Sequence, residues 1–369
     1  MELVGCKPNR ATLWYYEVLM TRKQLRRETT MKNNSNPGTR TFLNGGIWPD
    51  TAGVHINAHG GGLLKEGGLW YWYGEHKTAG KFGNVANVGV HVYSSPNLRE
   101  WTDRGIALAV EPDEASDIAC GCILERPKVV KAATGRFVLF FHLERKGQGY
   151  NDARVGIAVA DRPEGPFSFI RSLRPNGGEM CRDMTLFRDD DGSTWHVFAS
   201  EDNATLHIAE LTPDCLDYTG RWWRMAEQSF TEAPAIFKHD GWYHLIGSGC
   251  TGWLPNAARS FRARQMCGPW EPTGNPCRGV NPANGLGPEK TWGAQSTFAI
   301  PPDETTGGRW IAMFDLWRPE DAIDGRYAWL PVDFPDNRLE IAWRASWSHA
   351  SPPLPPSTRP MSDGWESAN

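Results

Sequence analysis

No apolar run in this chain approaches the roughly 18 residues of a membrane-crossing helix. The strongest, Phe137-Val-Leu-Phe-Phe141, has the length of a strand. A charge excess is missing too: 39 Lys and Arg against 43 Asp and Glu leave a net charge of -4, which gives no basic footprint for nucleic acid. Neither membrane nor nucleic acid is therefore expected as a partner. A metal-binding cysteine pattern is absent as well. The cysteines are Cys6, Cys120, Cys122, Cys181, Cys215, Cys250, Cys267 and Cys277, and only Cys120 and Cys122 are close. C-x-C without a second pair or a nearby His is no metal signature, so free or packed thiols are expected. The start shows no clear export signal. LWYYEVLM is short and no small-residue cleavage site follows it. As written the chain reads as cytoplasmic, while a true start at Met20 or Met31 would leave a secreted or periplasmic address open.

What is abundant points elsewhere. The 369 residues include 18 Trp, 39 Gly and 27 Pro, and 40% hydrophobic with 22% charged residues reads as globular. That mixture suits an all-β protein with many tight turns and an aromatic-lined cleft.

Five segments repeat one grammar: a polar or acidic residue, an apolar strand, a glycine turn, then an aromatic strand. They are GGGLLKEGGLWYWYGEHK (60–77), ERPKVVKAATGRFVLFFHLE (125–144), RDMTLFRDDDGSTWHVFASE (182–201), EAPAIFKHDGWYHLIGSG (232–249) and AQSTFAIPPDETTGGRWIAMFDLW (294–317). The turns KEGG, ATGR, DDDG, KHDG and ETTGG fall at matching places, as hairpins require. Three segments are followed by a further strand, a turn and an edge strand, as in VGIAVADRPEGPFSF. Four strands per unit and five units describe a five-bladed β-propeller, expected over 41–350. Residues 1–40 are expected to be a disordered or mis-assigned extension, and 351–369 a Pro/Ser-rich tail.

In a propeller the first strand of each blade lines the central channel. The leading polar residues are Asn57 and His59, Glu125 and Arg126, Arg182 and Asp183, Glu232, and Gln295. Glu232 opens an apolar strand, where an unpartnered carboxylate costs several kcal/mol or shifts its pKa. Delivery of all these groups to one shared cavity explains that placement. Clustered carboxylates in an aromatic-walled funnel suit glycoside hydrolysis, in which one carboxyl group must stay protonated to protonate the leaving oxygen. Candidates for holding sugar are YWYGE (Tyr71–Glu75), Tyr150, and Thr251 with Trp253.

The motifs NAHGGGLL, YWYGEHK, ERPKV, RDMTLFRDDDGSTWHVFASEDNATLHI, EAPAIFKHDGWYHLIGSGCTGW, WGAQSTF and RYAWLP resemble, in order across about 45–347, glycoside hydrolase family 43. The resemblance is nearest to its exo-β-1,3-galactanase branch. It implies a five-bladed propeller that hydrolyses glycosides with inversion and needs no cofactor. By position it makes Glu232 the general acid and Asp183 the aspartate that tunes and orients it. It makes Gln295 the proposed base and Glu125 a further active-site glutamate. Most of the family carries a first-blade Asp as base; here that blade reads INAHGGG, with Asn57 and His59 and no carboxylate, a departure that the galactanase branch shares. An amide is a poor base, so Gln295 could act only as an imidic tautomer or by positioning water. Glu125 as base is the physically simpler reading if its distance from Glu232 leaves room for a water. Asn57, His59, Glu75, Arg126, Tyr150, Thr251 and Trp253 are the expected substrate contacts, and no metal site is expected.

DDDG (Asp189–Gly192) lacks the remaining spacing of a calcium loop and reads as a turn. The sequon Asn203-Ala-Thr is uninformative without a secretory route. The expected function is release of terminal galactose from β-1,3-galactan or arabinogalactan-type oligosaccharides or polysaccharides. The alternatives are an α-L-arabinofuranosidase or β-xylosidase on the same fold, and a non-catalytic carbohydrate-binding propeller.

Overall fold

The computed structural model describes residues 41–353; the expectations for the extension up to 40 and for most of the tail lie outside the described residues. Five sheets follow one another along the chain, antiparallel except where Cys277–Arg278 joins the fifth by a parallel pairing with Glu340–Ala342. The first blade comprises His59–Glu66, Leu69–Glu75, Gly89–Ser95 and Thr102–Ala109. The second comprises Cys122–Lys131, Phe137–Glu144, Arg154–Ala160 and Ser168–Leu173. The third runs from Met184 to Met225, the fourth from Thr231 to Gly274, and the fifth from Gln295 to Ala342. First strands of successive blades touch, and the first strand of the first blade also touches that of the fifth, so the ring closes. The chain is a five-bladed β-propeller.

Local sequence explains the elements. Hairpins between first and second strands turn on residues that accept left-handed backbone, such as Gly192 at φ 86° in DDDG. That stretch is a turn, as expected, and Asp189 within it accepts hydrogen bonds from Lys238 and Tyr243 of the next blade. Second strands lie between neighbouring blades and are apolar on both faces; every residue of FVLFFHLE (Phe137–Glu144) is buried. Fourth strands face solvent and are polar, as in YTGRWWRM (Tyr218–Met225).

The tryptophans correct one expectation. Phe42, Trp48, Trp72, Trp101, Tyr327, Trp329 and Trp347 form a buried cluster at the seam of first and fifth blades. There Phe42 pairs in register with Trp347. Burying one such ring removes about 200 Å² from water, worth roughly 5 kcal/mol before entropy. Much of the aromatic richness therefore closes the ring instead of lining a cleft. Tyr71, Trp72 and Tyr73 are core residues, contrary to their proposed sugar-binding role. None of the seven described cysteines forms a disulfide. Among the described residues, no helix is long and apolar enough to cross a membrane.

Candidate active site

The first strands begin with an irregularity that aims their leading side chains. Register shifts occur between His59 and Gly62, Glu125 and Lys128, Glu232 and Ala235, and Ser296 and Phe298. Three of these bulges place the residue after the leading polar group in left-handed backbone: Gly60 at φ 59°, Arg126 at 55° and Ala233 at 54°. For Arg126 and Ala233 this conformation is strained. In each case the backbone N–H donates to a carboxylate of the preceding blade. Gly60 bonds Asp315 at 2.7 Å, Arg126 bonds Glu75 at 3.0 Å, and Ala233 bonds Asp183 at 3.1 Å. Carboxylates thus brace the bulges that present the site, and at 60 a Cβ would lie 2.0 Å from Glu75 Oε1, so a larger residue would have to displace that carboxylate.

The leading groups converge on a cavity of about 360 Å³, lined among others by Glu75, Glu125, Arg126, Asp183, Glu232 and Gln295. Glu232 Oε1 accepts from Gln295 Nε2 at 3.0 Å, and its Oε2 accepts from Asn203 Nδ2 at 3.4 Å. Burial first, then the negative charge of Asp183, raises its carboxyl to about 7, against an opposing pull from Arg126. Arg126 Nη2 binds Asp183 at 2.8 Å and Gln295 Oε1 at 2.5 Å, while Nη1 binds the Ser296 carbonyl at 3.1 Å. This fork fixes three blades around the acid.

The surroundings of Gln295 define its state. Its oxygen accepts from Arg126 and, at 2.9 Å, from Trp317 Nε1. Its nitrogen donates to Glu232 and, at 2.9 Å, to Ser248 Oγ. Guanidinium and indole only donate, so they fix the amide orientation and oppose an imidic tautomer, whose O–H would face two N–H groups. Glu125 sits in the second blade, not adjacent in the ring to the fourth. It accepts from Tyr150 OH at 2.8 Å and lies 3.3 Å from His142 Nδ1. Burial alone would raise its carboxyl, but hydrogen bonding to His142 and the charges of His142 and Lys77 outweigh it and hold it at about 2.

Expected substrate contacts divide. Glu75, Arg126, Tyr150 and Trp253 line the cavity. Glu75 pairs there with Lys77 at 2.5 Å. Asn57, His59 and Thr251 do not line it. Asn57 spends both ends of its amide on the Lys77 backbone, at 2.8 and 2.9 Å. His59 is fully buried against Tyr327, and burial keeps it neutral by lowering its pKa well below the usual value. Thr251 is exposed, and its hydroxyl bonds to the Leu254 carbonyl. Lys77, His142, Asn203, Cys250 and Trp317 also line the cavity and were missed. Trp253 and Trp317 meet edge to face at 5.7 Å and offer aromatic surface beside Gln295. Glu125, His142 and Asp183 bring one ligand atom each within 4.8 Å of one another. Both His142 nitrogens already face carboxylates and Asp183 is paired with Arg126, so the three read as an ion-pair network.

Residues 63–296 match the family model described as Glycosyl hydrolases family 43. A solved family-43 β-1,3-galactosidase with galactodeoxynojirimycin is 44% identical at a TM-score of 0.78, covering 83% of this chain and 99% of that one. An exo-β-1,3-galactanase from Phanerochaete chrysosporium, solved with galactose, is 33% identical at a TM-score of 0.74, covering 84% and 68%. Xylosidase/arabinosidase 43A of Humicola insolens is 35% identical over 151 residues, 40% of this chain and 42% of its own. The chain's match to that curated relative thus spans less than half the relative's length.

Proposed function

Because the chain belongs to glycosyl hydrolases family 43, we propose that this glycoside hydrolase is exo-acting and inverting, and that it releases terminal galactose from β-1,3-linked galactan or arabinogalactan-type chains. The observation that carries the reading is Glu232: a carboxyl facing a shared cavity and raised to about 7. Such a group is protonated in a large fraction of molecules near neutrality and can give its proton to a leaving oxygen. Two further facts favour galactose. Asn57 stands where a carboxylate base is usual and turns into the Lys77 backbone. The 44% identical relative is a β-1,3-galactosidase.

In this reading a terminal sugar enters the cavity with an apolar face toward Trp253 or Trp317 and its hydroxyls among Glu75, Lys77 and Glu125. Water attacks the anomeric carbon from the face opposite the leaving group, and the proton it gives up passes to the ionised Glu125 carboxylate at the cavity wall. The C–O bond breaks as Glu232 transfers its proton to the departing oxygen. Asp183 raises the acid, and Arg126 holds Asp183 and Gln295 in place. Gln295 orients Glu232 through its amide nitrogen. A cavity near the small end of ligand pockets suits one terminal residue better than a running chain.

The test is a hydrolysis panel of aryl β-D-galactoside, α-L-arabinofuranoside, β-D-xyloside and β-1,3-galactobiose, with Glu232→Gln alongside. Galactose release that the substitution abolishes supports the reading. The similarity to a xylosidase/arabinosidase gives the second reading, and release of arabinose or xylose instead would replace galactose with a pentose while leaving Glu232 as acid.

A further inference from the structure

A second ionisable chain leads away from the cavity, behind Glu125. The register of the second blade pairs Glu125 directly with His142 across the first and second strands. Glu144 lies two residues on, on the same face of that strand. His142 Nε2 meets Glu144 Oε1 at 2.8 Å, and its Nδ1 lies 3.3 Å from Glu125 Oε2. Glu144 is itself fixed, its Oε2 accepting from the Ala153 N–H at 2.8 Å. His142, 1% exposed, touches the cavity wall behind Glu125, whose side chain opens onto the cavity, and Glu144, 0% exposed, lies behind His142.

We propose that His142 is a positioning residue: as an imidazolium held between Glu144 and Glu125, it keeps Glu125 an ionised, oriented acceptor facing the substrate. The inference rests on the reading of the cavity as a glycosidase site. Nε2 hydrogen-bonds Glu144, and Nδ1 makes no hydrogen bond of its own but has the Glu125 carboxylate oxygen 3.3 Å away, so the cationic ring is the form that meets a negative charge at both nitrogens. Burial disfavours the cation, but the two glutamates prevail and raise the ring to about 9. Tyr150 OH supplies the remaining donor to Glu125 at 2.8 Å. The other charges facing Glu125 are Lys77 and Glu75 of the first blade, the Arg126 guanidinium beside it and Asp183 of the third. With its state fixed this way, Glu125 can only accept, from a sugar hydroxyl or from the attacking water. Glu125 lines the cavity, where its capacity beyond Tyr150 and His142 is open to such a donor.

The test compares His142→Gln and Glu144→Gln with the wild type through the pH dependence of kcat/KM, on whichever aryl glycoside the wild type cleaves. Without the imidazolium, burial pulls Glu125 toward its neutral form. The ratio of kcat/KM at pH 5 to that at pH 7 should then fall about tenfold relative to wild type. A packing role alone would lower activity by the same factor at both pH values, and an unchanged ratio overturns the proposal. NMR of ring-labelled histidine in the wild type provides the second measurement, independent of whether a variant folds. His142 should be an imidazolium at pH 7 and should titrate lower in Glu144→Gln; a neutral ring at pH 7 overturns the proposal. If the wild type cleaves a pentoside, the galactose reading fails and the kinetic test proceeds on that pentoside. If no glycoside is cleaved, the state of the ring decides.

Discussion

Replacing Glu232 by Gln removes an ionisable group whose folded-state affinity for protons exceeds its unfolded one. The shift from 4.5 to about 7 corresponds to an upper value of about 3 kcal/mol at 1.36 kcal/mol per unit. The full amount is not expected, because the carboxyl opens onto a cavity. Since the folded pKa is the higher one, the stabilisation from proton binding is fully present below pH 4.5. It is lost as pH rises toward 7, and the curve is flat above. Glutamine has no such dependence. It also loses one acceptor, toward Gln295 or Asn203, a pH-independent cost of about 1 kcal/mol. The stability of the variant relative to wild type should therefore rise between pH 5 and pH 8 by about 2 kcal/mol. That is roughly 4 °C in Tm for a chain of this size. Scanning calorimetry of both proteins across this range is the assay. Buried Asp315, which burial also raises to about 7, is common to both proteins and cancels. The same substitution should lower kcat on a disaccharide by about 10²- to 10⁴-fold and much less on a dinitrophenyl glycoside, which needs no acid. Parallel stability curves, or equal losses on both substrates, would refute Glu232 as a buried proton donor.

Three further outcomes are expected. Wild-type kcat/KM should stay level from pH 4 to 6 and fall above about 7 as Glu232 ionises, because Glu125 at about 2 imposes no limit in that range; a steady-state pH profile checks this. Arg126→Lys keeps the charge but loses the fork to Asp183, Gln295 and the Ser296 carbonyl. It should cost about 2–3 kcal/mol by denaturant titration and about 100-fold in kcat. Ala233→Gly relieves the left-handed backbone beside the acid and should raise stability by about 1 kcal/mol while lowering kcat, since the peptide that aims Glu232 becomes freer.

Much of the site was legible because the propeller repeats a simple phase. Asp183 immediately precedes a first strand, Gln295 opens one, Glu232 is the second residue of Thr231–His239, and Glu125 stands at the bulge of Cys122–Lys131 just before its apolar run; a polar residue at the head of such a run is conspicuous. The second-strand members were not legible in the same way. His142 and Glu144 end FVLFFHLE, and Lys77 and Trp317 follow apolar strands, where each reads as an ordinary core or edge residue. A signal was nonetheless present. Register pairs His59 with Glu75, Glu125 with His142, Glu232 with Ser248, and Gln295 with Asp315. In four of the five blades the leading polar residue thus faces a polar residue near the end of the following strand, while in the third Arg182 and Asp183 face Ala199. Reading hairpin partners together would have brought His142 and Asp315 forward. His59 misled for the converse reason: it leads its strand, yet it packs beneath the bulge against Tyr327 and Asp315, away from the cavity. The seam tryptophans misled because composition does not distinguish a ring that closes a propeller from one that faces a sugar.

The most direct measurement is a proton NMR time course of β-1,3-galactobiose with the wild-type protein and with Glu232→Gln. The account predicts that galactose appears first as the α-anomer with the wild type and does not appear with the variant. Galactose emerging first as the β-anomer, or disaccharide left intact while another glycoside is cleaved, would contradict it.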